Sequence, residues 1–375
     1  MCGFRPIHFL ALFLLSTTLG WAQWNVVTQQ GRRYVPLGDV ANFYRMSRPV
    51  GEGKGFSLIG PGKLLRGSIG GREVYLNNVK HVLCFEVESQ NGQPLISAMD
   101  VTKIIEPVLR PGKIKNATAI RTVILDAGHG GHDGGARGAL GNEKNFTLDV
   151  ALRAKRLLEA SGCKVRLTRS SDVFIPLEQR VAIANQYPNG IFVSIHFNKG
   201  STGSGTGVET YCLAPRGVPS MDAESVSYND LRQYPGHEND AENVALATAC
   251  HSSMLRRLRV FDRGIKRARF VVIRDLKIPG VLLEGGFVDN PVDARLIASP
   301  DYRQRMALAV LDGVNAYRRA VNGQPAFTPP TVIASADGAG DQPPLDRPIA
   351  PETGINSPGP RLRINGVEIN PESTQ

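Results

Sequence analysis

Four residues in this 375-residue chain have types and contexts that could do chemistry together. His129 follows the run "VILDAG", His196 closes "IFVSI", Glu284 follows "GVLL", and Glu143 stands in "GNEKN" at the start of a helical pattern. In an open α/β sheet, ligands gather outside the carboxyl ends of the strands, so three strand ends would bring two imidazoles and a carboxylate to one edge. A carboxylate at a helix N-terminus, such as Glu143, is favoured there by the helix dipole. Two histidines and one carboxylate with an open fourth position form the ligand set of a hydrolytic zinc site. The second carboxylate would then be the general base. Zinc lowers the pKa of bound water to about 7 and polarises a carbonyl, and a nearby glutamate can pass the water proton to a departing amine. The chemistry expected is amide hydrolysis.

Taken singly, each residue has a plainer explanation. His129 could be a surface turn residue, His196 a satisfied core histidine, and Glu143 an ordinary first-turn charge. Glu284 is harder to dismiss, because a carboxylate directly after Val281, Leu282 and Leu283 seldom stays unpaired. Phosphate binding by "GHGGHDGG" fails on detail. The loop has no Lys-Ser/Thr pair, its glycines do not spell GxGxxG, and no helix starts directly after it.

The elements that must position these residues follow from the patterning. "RTVILDAG" is a continuous apolar run suited to a buried parallel strand. Leu148, Ala151, Leu152 and Leu158 recur at helical spacing in "NFTLDVALRAKRLLEASG", which Gly162 stops. "CKVRLTR", "GIFVSIHFN", "GVETYCL", "FVVIRD" and "PGVLLEGGF" read as further strands. "PLEQRVAIANQ", "AENVALATACHSSMLRRL" and "PDYRQRMALAVLDGVNAYRRAV" read as helices, the first with Pro176 suited to its first turn. The fold class expected is α/β: a six-stranded, largely parallel sheet with helices on both faces, preceded by a small β-rich α+β domain.

The organisation expected is a secretory signal at residues 1–22, a small accessory domain at 23–112, a linker at 113–120, a catalytic domain at 121–320 and a disordered Pro/Gly-rich tail at 321–375. The apolar run near the N-terminus is shorter than a membrane span and ends in Gly20-Trp21-Ala22, a small-x-small cleavage pattern. No transmembrane span is expected after cleavage. The destination is the periplasm or the cell exterior. Export leaves Cys84, Cys163, Cys212 and Cys250 where disulfides are possible, but the strand-like settings of Cys163 and Cys212 favour free thiols. The net charge of +10 attracts polyanions. Export argues against nucleic acid and for anionic wall polymers, carboxylate-bearing peptides or lipid headgroups, wall polymers being reached through the basic surface and the N-terminal domain. "HSSMLRRLRVFDRGIKRARF" is the densest basic stretch and reads mainly as a solvated helix face. In the N-terminal region, "YVPLGDVANFY" and "PLISAMDVTKII" look like an internal repeat of strand then helix. The last residues, "RLRINGVEI", could form a hairpin or a short docking strand.

"VILDAGHGGHDGG", "NEKNFTLDVALRAKRLLEASGCKVRLTR", "PLEQRVAIAN", "FVSIHFN", "GVETYCL" and "VLLEGGFVDNPVDARLI", in this order, resemble the zinc-dependent N-acetylmuramoyl-L-alanine amidases of the Amidase_3 type over residues 121–320. The resemblance implies cleavage of the amide between N-acetylmuramic acid and L-alanine in peptidoglycan, in wall remodelling, daughter-cell separation or recycling. By motif position it implies that His129, Glu143 and His196 hold Zn2+ and that Glu284 is the catalytic glutamate. Residues 24–111 also resemble, in "YVPLGDVA" and "LNNVKHVL", a copper amine oxidase N-terminal-like domain.

Two departures from the family pattern stand out. His132-Asp133-Gly134 replaces the usual small or polar residue followed by Asp-Pro-Gly, which makes His132 a solvent-exposed loop residue, a substrate contact or an alternative metal ligand. A long polar insertion, "APRGVPSMDAESVSYNDLRQYPGHENDAEN", follows "GVETYCL"; such loops often form lids. Its expected place is over the zinc edge, where His237, Glu238 or Asp240 could block the metal. Two other functions fit the same residues: a zinc peptidase cutting within the stem peptide, and a non-catalytic wall-binding module. Four intact functional positions count against the module.

Overall fold

The computed structural model describes residues 24–324, apart from 116, 118, 119, 202 and 222–224, together with the backbone of 363–364 and 367–368. The signal at 1–22 and most of the tail lie outside the described residues. Within the tail, Arg363–Ile364 and Val367–Glu368 pair as a short antiparallel ladder, as expected for "RLRINGVEI".

The largest sheet has ten strands. Six belong to residues 122–287, in the spatial order Lys164–Leu167, Thr122–Ala127, Gly190–Asn198, Gly280–Phe287, Val208–Leu213 and Asp262–Ala268. Neighbours are parallel except at one place, where Val208–Leu213 runs antiparallel to Gly280–Phe287. The expected six-stranded, largely parallel sheet is therefore present. Strand alternation serves both faces. Val123, Leu125 and Ala127 pack into the larger core with the helices Glu143–Ala160, Asp240–Leu258 and Pro300–Val321, while Ile124 packs with Leu177–Asn185 and Val271–Arg274 on the other side. Within Glu143–Ala160 the buried face is Thr147, Val150, Ala151, Ala154, Leu157 and Leu158, so Leu148 and Leu152 lie at its margin rather than at its centre.

One strand differs from expectation. "FVVIRD" holds a short helix, Val271–Arg274, whose Val272 and Ile273 are buried beneath the sheet. The sixth strand is Asp262–Ala268, "DRGIKRA", inside the stretch read as a solvated basic helix face. Its charge hid it, because the cations of this strand are matched by carboxylates distant in sequence. Arg267 is buried against Asp240 at 2.9 Å, and Lys266 meets Glu209 at 2.7 Å. Tertiary pairing overrides strand propensity here.

The N-terminal region does not stand apart. Gly55–Gly60, Lys63–Ser68, Glu73–Leu76 and Val79–Val82 form an antiparallel meander that continues the large sheet through the pair His81–Ile265. The repeat reading holds: Arg32–Pro36 leads into the helix Leu37–Tyr44, Gln93–Ser97 leads into a helical segment at Ala98, and the two strands pair with each other. Cys84, Cys163, Cys212 and Cys250 are free thiols. No helix among the described residues is long and apolar enough to cross a membrane.

Candidate active site

The loop after Thr122–Ala127 is shaped by what it must pass. A Cβ on Gly128 would fall 2.3 Å from His196 Cε1, and one on Gly130 would fall 2.1 Å from the Val173 carbonyl. His129 itself takes the left-handed region, with φ at 63°. That conformation costs a β-carbon-bearing residue of order 1–3 kcal/mol and persists only where the surroundings over-determine it. Here Arg180 supplies the constraint. Its Nη2 donates to the His129 carbonyl at 2.7 Å, and its Nη1 donates to the Ala127 carbonyl and to Asp126 Oδ1, each at 2.7 Å. Arg180 and Asp126 are both almost fully buried. Ser194 and Thr168 also donate to the Asp126 carboxylate. Burial would push that carboxyl up, but the Arg180 charge and the two hydroxyl donors hold it below its ordinary range. Arg169 secures the next carbonyl, that of Gly128, at 2.8 Å.

Three donor side chains converge. His129, Glu143 and His196 each offer a ligand atom, and these atoms lie within 4.8 Å of one another. Glu143 sits between the imidazoles, with Oε2 3.0 Å from His129 Nε2 and Oε1 2.9 Å from His196 Nδ1. The backbone fixes its carboxylate, since the Ala136 and Phe197 amides donate to Oε2 and Oε1. Burial opposes ionisation of Glu143, yet the two histidines hold it well below the carboxylate range. Asp133 holds the far side of His129: its Oδ2 accepts from Nδ1 at 2.8 Å, while its Oδ1 accepts from the Gly135 amide. Burial disfavours the imidazolium of His129, but the Glu143 and Asp133 carboxylates outweigh it and raise the pKa. A carboxylate on Nδ1 fixes ring orientation and frees Nε2 for a cation, the usual arrangement around a metal-binding histidine. Two imidazole nitrogens and a carboxylate oxygen at this spacing suit a divalent ion of the zinc type.

Glu284 lies beside this group. Gly280–Phe287 is in register with Gly190–Asn198 so that Glu284 is the direct partner of His196. On its other side the antiparallel pairing sets Glu209 opposite Glu284. Glu284 Oε2 is shut from solvent and has no hydrogen-bond partner among the described residues. Burial raises its carboxyl well above the ordinary range, the Glu143 and Glu209 carboxylates add to this, and Lys266 opposes it. Glu209 behaves differently, because Arg263 and Lys266 bind its Oε1 and Tyr211 and Asn198 donate to its Oε2. Despite burial, the two cations hold Glu209 below the usual range. Glu284 and Glu209 line one wall of a cleft of about 520 Å³ that opens at this sheet edge. The arrangement can bind a cation beside a carboxyl that carries protons.

The four residues singled out in the sequence are thus brought together. His132 is not among the converging donors. It is exposed, and its ring packs on Phe174 with centroids 4.2 Å apart. The described residues of the insertion do not cover this edge. Because Val208–Leu213 runs opposite to its neighbour Gly280–Phe287, its carboxyl end lies at the far edge of the sheet, and the loop leaves from there. His237 takes the Tyr234 amide on Nδ1 and donates from Nε2 to the Ala214 carbonyl. Asp240 is paired with Arg267 and Lys103, and Glu238 lines a separate cavity with Glu106 and Arg110. None of the three blocks the converging donors. Sequence reasoning missed Asp133, Asp126, Arg180 and Glu209. Two signals were present: an aspartate inside the otherwise apolar "VILDA", and an aspartate four residues after His129.

The family model described as N-acetylmuramoyl-L-alanine amidase, Amidase_3, matches residues 123–316. N-acetylmuramoyl-L-alanine amidase AmiA of Escherichia coli is 32% identical over 238 residues, which are 58% of this chain and 82% of that protein. N-acetylmuramoyl-L-alanine amidase LytC of Bacillus subtilis is 34% identical over 207 residues, 55% of this chain and 37% of that protein. Among solved structures, the catalytic domain of CwlV, an N-acetylmuramoyl-L-alanine amidase from Bacillus (Paenibacillus) polymyxa var. colistinus, shares 31% identity. It covers 53% of this chain and 98% of its own, with a TM-score of 0.44.

Proposed function

From the premise that this chain belongs to the Amidase_3 family of N-acetylmuramoyl-L-alanine amidases, we propose how its own residues carry out the family's reaction. The enzyme hydrolyses the amide between the lactyl group of N-acetylmuramic acid and the L-alanine of the peptidoglycan stem. His129, Glu143 and His196 hold Zn2+, and Asp133 orients His129 from behind. When bound, zinc supplies Lewis acidity toward the lactyl carbonyl and acidifies water.

Glu284 moves the proton. Its carboxylate takes a proton from the attacking water as the oxygen adds to the lactyl carbon. It returns that proton to the alanine nitrogen as the C–N bond breaks. Muramic acid is left with a free lactyl carboxylate and the stem with a free amine. A carboxyl that burial and two neighbouring carboxylates push upward is better able to hold and return the proton than an ordinary carboxylate. The chain works outside the cytoplasm, where its substrate lies.

The observation that carries this reading is the convergence of His129, Glu143 and His196 beside a carboxyl whose Oε2 has no other partner. Metal analysis with muropeptide profiling of wild type and Glu284→Ala tests it. The variant is expected to retain one zinc per chain and to lose turnover, while wild type releases intact stems and bare glycan. Turnover by Glu284→Ala would remove Glu284 from the mechanism. Shortened stems still attached to glycan would replace the amidase reading with that of a peptidase.

A further inference from the structure

The cleft beside Glu284 carries more cationic donors than Glu209 uses. Lys199, Arg263 and Lys266 line it. Glu209 takes one ammonium, from Lys266, and only the Nε of Arg263, so the two terminal amino groups of that guanidinium have no partner among the described residues. The guanidinium rests on the Phe287 ring, 5.0 Å from its centroid, and this holds it in place without using those donors. Lys199 is exposed, and its ammonium makes no bond among the described residues. A planar, pre-positioned guanidinium with two parallel free donors is suited to bidentate capture of a carboxylate.

Position identifies which carboxylate. Glu209 stands opposite Glu284 in the antiparallel pair, and Arg263 sits on Glu209, so the free donors lie one side chain away from the proton carrier. The glycan arm of the substrate is neutral, because N-acetylhexosamines carry no ionised group and the lactyl carboxyl is consumed in the amide. Free carboxylates belong to the peptide arm. A stem whose second residue is joined through its side-chain carboxyl leaves an α-carboxylate within two residues of the scissile nitrogen, about 7 Å away when extended.

We propose that Arg263, assisted by Lys199, binds the free α-carboxylate of the second stem residue, which lays the peptide arm in this cleft and makes the enzyme discriminate carboxylate from carboxamide stems. The proposal rests on the amidase reading given above and concerns only how the substrate is chosen.

The test compares kcat/KM of the zinc-loaded full chain on two synthetic muropeptides that differ only in carrying a carboxylate or a carboxamide at that position. Wild type is expected to favour the carboxylate by about tenfold, chiefly through KM, as one charge-assisted bidentate contact allows. Arg263→Gln should bring the ratio close to one, and Arg263→Lys should restore part of it. Lys199→Gln, which disturbs no bond of the fold, should lower the ratio by a smaller factor. An equal rate on both substrates with wild type, or an unchanged ratio in Arg263→Gln and Lys199→Gln, would overturn the proposal while leaving the amidase reading intact. Release of neither stem by wild type would overturn both.

Discussion

Arg180→Met is the most informative single perturbation of this fold outside the reacting groups. Arg180 is 2% exposed and donates to Asp126, to the carbonyls of Ala127 and His129, and through Nε to that of Ile175. Methionine fills similar volume but leaves the Asp126 carboxylate buried without its cation. Removing one partner of a buried pair costs about 3–5 kcal/mol, a large share of the roughly 5–15 kcal/mol that holds a domain folded. At about 2–4 °C per kcal/mol for a chain of this size, the melting temperature should fall by about 10 °C. The pH dependence gives a second check. In wild type the Asp126 carboxyl is held below its unfolded value, so its contribution is complete above about pH 4 and fades as pH falls through the depressed folded pKa. In Arg180→Met the same carboxyl is buried and unpaired, so its pKa rises above the unfolded value. The penalty should then be larger at pH 7 than at pH 5, where the group is more nearly neutral. Adding Asp126→Asn removes the stranded charge and should recover at least half of the loss. Urea unfolding of the three proteins at both pH values measures all of this. A loss under about 1 kcal/mol in Arg180→Met, or one equal at both pH values, would refute the argument.

Three further outcomes are expected. Asp133→Ala, which frees Nδ1 of His129, should weaken zinc affinity by about 10–100-fold, read by competition with a chelator. Deleting residues 24–111 should destabilise the catalytic half and promote self-association. The deletion removes the strand partner of Ile265 and the Lys103 carbonyl that accepts from Arg267; light scattering and thermal melting would show it, and an unaltered, monomeric fragment would contradict it. His81 is buried with Nε2 unpartnered, and burial, with His251 adding, lowers its pKa to about 3. The unfolded chain therefore binds the extra proton first, and His81 costs stability progressively as pH falls from about 6.5 toward 3. His81→Leu should flatten the fall in unfolding free energy over that interval, and an unchanged slope would count against it.

The convergence of these residues was legible because a rule connects them. A strand end in a parallel sheet delivers its next residue to the ligand-binding edge, so His129, His196 and Glu284 could be gathered without knowing the pairing order. Arg180 and Asp126 were not legible, because 54 positions separate them and only the packing of the Leu177–Asn185 helix on the sheet brings them together. "DRGIKRA" was missed for a related reason. Its cations answer carboxylates at Glu209 and Asp240, and without those partners the stretch reads as solvated. The insertion was misplaced by a single unseen fact, the direction of Val208–Leu213. Parallel order would have put its loop above the donors, and antiparallel order puts it at the other end.

That reversed strand gives the domain two faces with different freedom. Loops leaving the His129 edge are confined, since Gly128 and Gly130 have no room for a methyl group. The segment leaving Leu213 on the opposite edge carries Tyr228, which is 78% exposed, and Leu231, which is 52% exposed. A fluorophore, affinity handle or fused binding domain grafted at that end would ride on the enzyme without entering its chemistry, which marks this loop as the place to attach new cargo.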